Sequence, residues 1–483
     1  MAHAHKWQPL NGQRRSVFLF GVAAQPWYRD RVIKESQQAG LNVVVAKMIS
    51  DHSEDLLKTI HRESEHVAEA QLQIHATEVL PDKVDAISGE MRSYLRRQYG
   101  NDWCALPLSD YVTEYAAAMT ADFSNACYPV RSAEIVKRKH QLRQIWNRLA
   151  ASSPSLCAVE YCYLEVRKDG KAIASDCSDG FHSLAEKSLL IVKPDELSAS
   201  IEIHCADSKT KALAVAHDVC DQLLSKWQKV GQSIGTAVRP RVLIESAIDR
   251  SARLHPGAEF SIEFLSFMGE HYSIGITQKW TGSNFVESGH LFPAESLPPR
   301  LKPVVENAIR QLLQELKVRY AVSHWEFIVT ADERVALVEG HLRPAGGRIM
   351  ELVELSTGQS PTAVLCRAMA DGSASFSFHP THSCGLFWML PQAPLTKVSK
   401  VTYSPVAAIP ELRDLYINEE GIKATANWSQ AKDWTTRFVH ALATGSDLTR
   451  ITSCCRRVAD DIILSGERDG VPASTRLKLA TDR

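Results

Sequence analysis

The 483-residue chain has no uninterrupted apolar run approaching the ~18 residues a membrane-spanning helix needs. Its first segment, Met1 to Arg15, is polar and lacks the apolar stretch of a secretion signal. Charge of one sign is also missing: the net charge is −1, so no global field favours nucleic acid or an anionic membrane. There are 11 cysteines but no CxxC pair, and the adjacent Cys454 and Cys455 cannot form an ordinary unstrained bridge. That pattern argues against a disulfide framework and a zinc site, and for reduced thiols in a cytoplasm. No cysteine neighbourhood marks a nucleophile. The glycines after the first strand make no GxGxxG fingerprint, so dinucleotide binding is not inferred. Internal repeats and low-complexity tracts are absent.

What is present is ordinary for a globular protein: 45% hydrophobic and 23% charged residues. The length suggests about three domains of roughly 150 residues. Ser16–Gly21 reads as a strand, Tyr28–Ala39 as a helix and Leu41–Ala46 as a second strand, a βαβ unit of a small parallel sheet. The α/β pattern continues to about residue 130, with a helix around Asp110–Met119. Arg131–Ala150 reads as one helix, capped by Ser132, with Glu134 in its first turn. Ile135, Leu142, Trp146 and Leu149 form its apolar stripe. Lys139 falls on that stripe and must find an anion or snorkel out. Taken alone, the run Lys137-Arg138-Lys139 reads as a solvated face.

Leu189–Lys193 is a short strand, followed by a helix from Asp207 or Ser208 to about Val230 with Leu213, Val219, Leu223 and Trp227 inward. Arg241–Glu245 is another strand. Glu259–Phe267 alternates, with Phe260, Ile262 and Phe264 on one face and Glu259, Ser261 and Glu263 on the other. Tyr272–Lys279 pairs with it across a turn at Gly269. After Gly372 the chain is mixed and punctuated by proline, with one helix at Asp447–Ile463 and a polar tail from about Gly466.

The densest signal is Trp325–Glu339, two β-rich runs around the polar turn Ala331–Arg334. Folding it about the Asp332–Glu333 bond sets Glu326 opposite Glu339. Facing carboxylates repel and destabilise a sheet unless a cation lies between them, and hard cations such as Mg²⁺ prefer carboxylate oxygens. The bland alternative is an exposed hairpin with two solvated glutamates; a bulge in the turn would also shift the register by one residue and put the carboxylates on opposite faces. Arg343 and the pair Gly346-Gly347 follow at once, an anion site beside a metal site.

The ordered set is more telling than any member: Lys139 on a helix, Lys193 ending a strand, Glu245 ending a strand, Gly257-Ala258-Glu259, Lys279, Glu326, then Glu339 and Arg343 with glycines. It resembles the ATP-grasp superfamily, and within it the carboxylate–amine ligases that include bacterial L-amino acid ligases and carnosine synthase. The resemblance implies a multidomain α/β and α+β protein. Residues 1–130 would form a Rossmann-like pre-ATP-grasp domain. Residues 131–375 would form the ATP-grasp domain, with a lid at about 155–240, and 376–483 an α+β domain closing the substrate site.

It further implies that Lys139 and Lys193 hold the ATP phosphates, with Lys279 approaching them. Glu245 through Ile248 would contact adenine and Glu259 the ribose. Glu326 and Glu339 would bind Mg²⁺, or Mn²⁺, and Arg343 with the Gly346 N–H would stabilise the acyl-phosphate oxyanion. Phe285–Ala294 resembles the substrate segment of the amino-acid ligases, with Glu287 facing the amine as candidate base and His290 orienting the substrate; the bland alternative is a surface loop. The partners implied are small carboxylates and amines, in a cytoplasmic homodimer that engages no nucleic acid or membrane.

The sequence departs from the family pattern in three places. His341 replaces an asparagine metal ligand and suits Mg²⁺ poorly. The loop after Lys193-Pro194 is Asp195-Glu196-Leu197-Ser198-Ala199-Ser200, glycine-free and doubly acidic. The spacer Asp249–Pro256 is long. Rival readings are an ATP-grasp enzyme of the biotin-carboxylase or purine-pathway type and a catalytically impaired nucleotide-binding regulator. Nucleic-acid binding through the basic 137–143 segment is poorly supported by a neutral chain.

Overall fold

The computed structural model describes residues 16–20, 26–46, 93, 97, 103–121, 127–166, 172–173, 184, 189–197, 200–227, 241–251, 259–282, 285–373, 375–403, 409–425 and 437–482. The polar N-terminus, Ser198-Ala199, Gly257-Ala258 and much of the segment expected as a lid lie outside the described residues. The chain begins with β1 (Ser16–Phe20), α1 (Pro26–Gln38), β2 (Asn42–Ala46) and β3 (Trp103–Pro107), a parallel sheet in the order β2-β1-β3. Val17, Leu19, Val43, Val44, Cys104 and Leu106 are all buried, as strands covered on both faces require. A short turn, Asp110–Val112, leads into α2 (Thr113–Thr120).

The helix expected over Arg131–Ala150 is two helices, α3 (Val130–Lys137) and α4 (Lys139–Ala151), broken where Arg138 is extended at φ −92° and ψ 103°. The break sets Lys139 at the first position of α4. Pro129, not Ser132, caps α3; Ser132 Oγ instead donates to Leu316 O at 2.6 Å, and Glu134 lies beyond the first turn. Nor is Lys137–Lys139 a solvated face. Lys137 pairs with Glu114, Arg138 with Glu196, and Lys139 is 8% exposed.

A five-stranded antiparallel sheet in the order β5-β4-β8-β6-β7 follows, built from β4 (Tyr161–Val166), β5 (Ala172–Ile173), β6 (Leu190–Pro194), β7 (His204–Ala206) and β8 (Arg241–Ser246). Helix α5 (Lys209–Gln222) packs Ala212, Ala216 and Val219 against Leu190, Val192, Val242 and Ile244. Ser208 caps it, accepting from the Lys211 N–H. The helix passes into a π turn at Leu223–Trp227; its buried residues are Ala212, Ala216, Val219, Cys220 and Leu223, Leu213 is half-buried, and the Trp227 side chain expected inward lies outside the described ones.

The rest of the chain forms one 11-stranded sheet. Its first strands are β9 (Glu259–Phe267), β10 (Glu270–Thr281) and β11 (Glu287–Phe292), then, after α6 (Leu301–Glu315), β12 (Ala321–Val329) and β13 (Val335–His341). Helices α7 (Ile349–Thr357) and α8 (Pro361–Asp371) precede β14 (Ser383–Pro391), β15 (Lys397–Thr402), β16 (Leu412–Ile417) and the short α9 (Glu419–Ala424). The chain continues through β17 (Val439–Gly445), α10 (Leu448–Asp461), β18 (Ile463–Arg468) and β19 (Val471–Leu479). The main path runs β13-β12-β9-β10-β11-β14-β19-β18-β15, with β17 paired to β14 and β16 paired to β17.

The polar tail expected from Gly466 is therefore a hairpin. Its β19 buries Leu477 and Leu479 against β14. Alternation with exposed Arg476 and half-buried Lys478 hides that pattern in a polar composition. The alternation of β9 divides the large sheet into two faces. Phe260, Ile262 and Phe264 lie on the apolar face, where Phe260 stacks on Phe327 at 5.5 Å and Ile262 pairs with Trp325. Glu259, Ser261 and Glu263 point to the other, which carries the site. Among the described residues no helix is long and apolar enough to cross a membrane.

Candidate active site

The hairpin β12–β13 pairs Glu326 with Glu339 and His324 with His341. The register arises differently from the simple fold-back. Near the turn, Val329 pairs with Val335 and Phe327 with Leu337, a pairing centred on Asp332. A bulge at Val338 then shifts the strand by one residue and sets the glutamates opposite each other. The turn is held by Thr330, whose Oγ1 accepts from the Arg334 N–H at 2.9 Å. Oxygens of Glu326 and Glu339 and a nitrogen of His341 all lie within 4.8 Å of one another. Two carboxylates and an imidazole so placed fit a divalent cation, carboxylate oxygen suiting Mg²⁺ and imidazole nitrogen a softer ion.

Lysines face both carboxylates. Lys139 Nζ is 3.4 Å from Glu339 Oε2 and also donates to Leu197 O. Lys279 Nζ is 2.5 Å from Glu326, 2.7 Å from Glu287 and 3.9 Å from Glu259. Lys279 is 1% exposed. Burial alone would lower its pKa, but the three carboxylates together raise it above the ordinary lysine range. Burial likewise opposes ionisation of Glu287, Glu326 and Glu339, yet neighbouring cations hold all three below the ordinary carboxyl range. Glu259 is the exception: burial outweighs Lys279 and Arg250, and its pKa is raised. The site face thus carries alternating buried charges at hydrogen-bond distance.

Glu287 and His290 do not form a surface loop. They lie on β11, where His290 pairs with Lys279 of β10 and is fully buried. Glu287 also binds Arg437 at 3.0 Å, and Arg437 lies 4.4 Å over the Trp388 ring. His290 Nδ1 is 3.2 Å from Gly347 O. A Cβ at Gly347, whose φ is +58°, would meet the His290 ring at 2.6 Å, so this position demands glycine. Gly346 has open space around it, and its carbonyl starts the turn into α7 by accepting from Ile349 N–H.

Under the five-stranded sheet a second charged group is assembled. Glu245 accepts from Lys193 at 2.5 Å and from Arg143 at 2.9 Å. Burial opposes its ionisation, but the two cations lower its pKa. Lys193 is lowered by burial, despite Glu245. Half-buried Ile248 follows β8. The acids that make the loop after Lys193 look hostile to phosphate are engaged internally: Asp195 contacts His140 at 2.7 Å and Arg241 at 3.5 Å, and Glu196 pairs with Arg138 at 3.2 Å. A small, open cleft of about 20 Å³ lies between α3 and β13, with Lys139, Glu196, Glu339, His341 and Asp110 in its wall.

Sequence reasoning missed Arg143, Arg437, His324 and Asp110. Arg143 is one turn after Lys139, so helical spacing could have placed it. His324 precedes Glu326 by two residues and shares its face. Asp110 gives no local sign. Its carboxylate bridges Arg343 at 2.6 Å and His341 at 2.7 Å from more than 200 residues away.

Residues 187–351 match the family model of the ATP-grasp domain, a family whose members are generally ATP-dependent ligases. Among solved structures, the chain is similar to an L-amino acid ligase from Bacillus licheniformis, at 14% identity and a TM-score of 0.64 over 93% of this chain and 98% of that one. A phosphoribosylglycinamide synthetase from Anaerococcus prevotii aligns at 12% identity and 0.60, over 93% and 99%. The biotin carboxylase domain of a 2-oxoglutarate carboxylase from Hydrogenobacter thermophilus, in complex with MgADP and bicarbonate, aligns at 10% and 0.60, over 96% and 92%. No curated protein sequence matches the chain. At such identities the structural likeness establishes the fold alone: a multidomain α/β protein with the ATP-grasp fold, within which residues 187–351 match the ATP-grasp domain model.

Proposed function

We propose that the protein is an ATP-dependent ligase that joins a carboxylate to an amine, both amino acids, through an acyl phosphate, releasing ADP and phosphate. The observation that carries this reading is Lys279. One ammonium group touches both Glu326, of the metal pair, and Glu287, of the substrate segment. Phosphate and amine positions are therefore within one side chain of each other, as acyl transfer requires.

A carboxylate does not acylate an amine unaided, because oxide is the leaving group; phosphorylation supplies a better one. That step depends on positioning and charge neutralisation, not on a protein nucleophile. In this reading Lys139, Lys193 and Lys279 face the phosphates. Glu245 through Ile248 face the adenine, and Glu259 the ribose. Glu326 and Glu339 would hold a divalent cation, which when bound would supply charge neutralisation at the phosphates. Arg343, fixed by Asp110, offers its guanidinium to the oxyanion with the Gly346 N–H. Glu287, kept ionised by Lys279, His290 and Arg437 despite burial, is better suited to hold an ammonium group than to abstract its proton. His290 orients the substrate against Gly347. Trp388 of β14 and Arg437, two residues before β17, would flank the substrate site through Glu287.

The test is phosphate release from ATP with Mg²⁺ or Mn²⁺ against a matrix of paired amino acids, with mass spectrometry of positive wells. Release requiring both amino acids, with a new mass equal to their sum minus water, is expected. ATP binding without release under any pairing would sink the reading and favour a nucleotide-binding regulator. Release that instead requires bicarbonate would move the protein to a carboxylase-type reaction.

A further inference from the structure

We propose that the metal site is a mixed histidine–carboxylate site built for a transition-type divalent cation such as Mn²⁺ in preference to Mg²⁺. The unit is a square of four side chains on two adjacent strands. His324 and Glu326 stand two apart on β12, Glu339 and His341 two apart on β13, and the register sets histidine opposite histidine and glutamate opposite glutamate. The imidazole rings lie 5.6 Å apart, nearly parallel at 17°.

Each histidine is backed by a carboxylate. His341 Nδ1–H donates to Asp110 at 2.7 Å, and His324 Nδ1–H donates to Glu263 at 2.8 Å. Both histidines therefore turn Nε2 towards a metal-pair glutamate: His341 Nε2 is 3.3 Å from Glu339, and His324 Nε2 is 2.9 Å from Glu326. An imidazole nitrogen facing a carboxylate oxygen needs a cation between them, either a proton or a metal ion. Carboxylate, imidazole N–H and outward Nε2 form the arrangement that orients histidine for metal binding and strengthens it as a ligand. Asp110 and Glu263 come from different parts of the chain, so the arrangement is built twice independently. Nitrogen donors favour first-row transition ions, whereas Mg²⁺ prefers all-oxygen, largely hydrated coordination.

This inference rests on the ligase reading only in that ATP would share the site. Its test uses neither substrate nor turnover, so the two can fail separately. Full-length protein without nucleotide is titrated with MnCl₂ and with MgCl₂ by calorimetry. The Mn²⁺-loaded wild-type protein is then examined by pulsed electron paramagnetic resonance. Tighter binding of Mn²⁺ than Mg²⁺ is expected, with ¹⁴N couplings from imidazole. Asp110→Asn and Glu263→Gln should each weaken Mn²⁺ binding by about 10–100-fold. Loss of the ¹⁴N coupling in His341→Asn would assign the nitrogen. Equal affinity for the two ions, or wild-type Mn²⁺ spectra without nitrogen coupling, overturns the proposal without needing any variant to fold.

Discussion

Replacing Lys279 by methionine removes the cation shared by Glu259, Glu287 and Glu326, at 3.9, 2.7 and 2.5 Å. Methionine keeps the length and apolar stem, so the perturbation is mainly electrostatic. Stripping one partner from a buried ionic group costs about 3–5 kcal/mol, because the remaining charges stay desolvated. For a cooperative unit of roughly 150–250 residues that is a melting-point drop of about 6–20 °C. The folded-state pKa of Lys279 is raised. Its stabilisation is therefore complete below the ordinary lysine pKa and is lost only as pH rises through the folded value, so a neutral-pH assay reads the full effect. In Lys279→Met, Glu287 and Glu326 lose the largest charge that favours their ionisation, and Glu259, already raised by burial, loses one that opposes the rise. Their pKa values rise, and lowering the pH should protonate one and relieve the repulsion. The melting-point deficit against wild type should therefore shrink from pH 7.5 to 5.5, and MnCl₂ should recover part of it at pH 7.5. A variant melting within ~1 °C of wild type at pH 7.5, on the slope above, would refute the buried-charge argument. A deficit unchanged by pH would refute the account of the glutamates.

Gly347→Ala forces a Cβ to 2.6 Å from the His290 ring at a positive φ; a loss of about 1–3 kcal/mol in denaturant melts is expected, with a raised KM for the substrate His290 orients. Arg437→Met removes a charged hydrogen bond from Glu287 worth about 1.5–3 kcal/mol, so KM for the amine should rise by about 10–150-fold while the metal affinity stays unchanged. Gly340→Ala drives a Cβ to 2.4 Å from Trp325, between Glu339 and His341; it should lower both stability and Mn²⁺ affinity, read by melting and calorimetry. Burial, then Arg348, lowers the His440 pKa to about 3, so the folded state stays neutral while the unfolded state takes up a proton. That stability is present above the unfolded pKa near 6.5 and falls by about 1.4 kcal/mol by pH 5.5; His440→Gln should flatten this acid limb in melts across pH 5–8.

The legible parts of the site were those whose partners are near in sequence or fixed by periodicity. Period-two alternation placed Glu259, Ser261 and Glu263 on one face, and the hairpin set Glu326 against Glu339. The second success was partly fortuitous. The turn centres on Asp332 and the bulge at Val338 restores the register, and nothing in Val335–Glu339 announces a bulge, since it is set by the neighbouring strand and by packing. The break at Arg138 was illegible for a related reason. Every residue from Ser132 to Ala150 tolerates a helix, and the interruption is made by tertiary contacts, with the Lys139 N–H donating to Asp195 O. Propensity yields where such partners exist.

His324 shows how a strand pattern can be read further. A His-x-Glu followed by a hairpin and Glu-x-His already implies four polar side chains on one face if the glutamates face each other. Only the orientation of the imidazoles then needs the fold, since Asp110 and Glu263 supply it from residues 231 and 61 positions away. Ligand identity in this site is thus written locally, whereas ligand direction is written at long range. A substitution at Asp110 should therefore alter metal binding without changing a single candidate ligand, which no reading of β12 and β13 alone could anticipate.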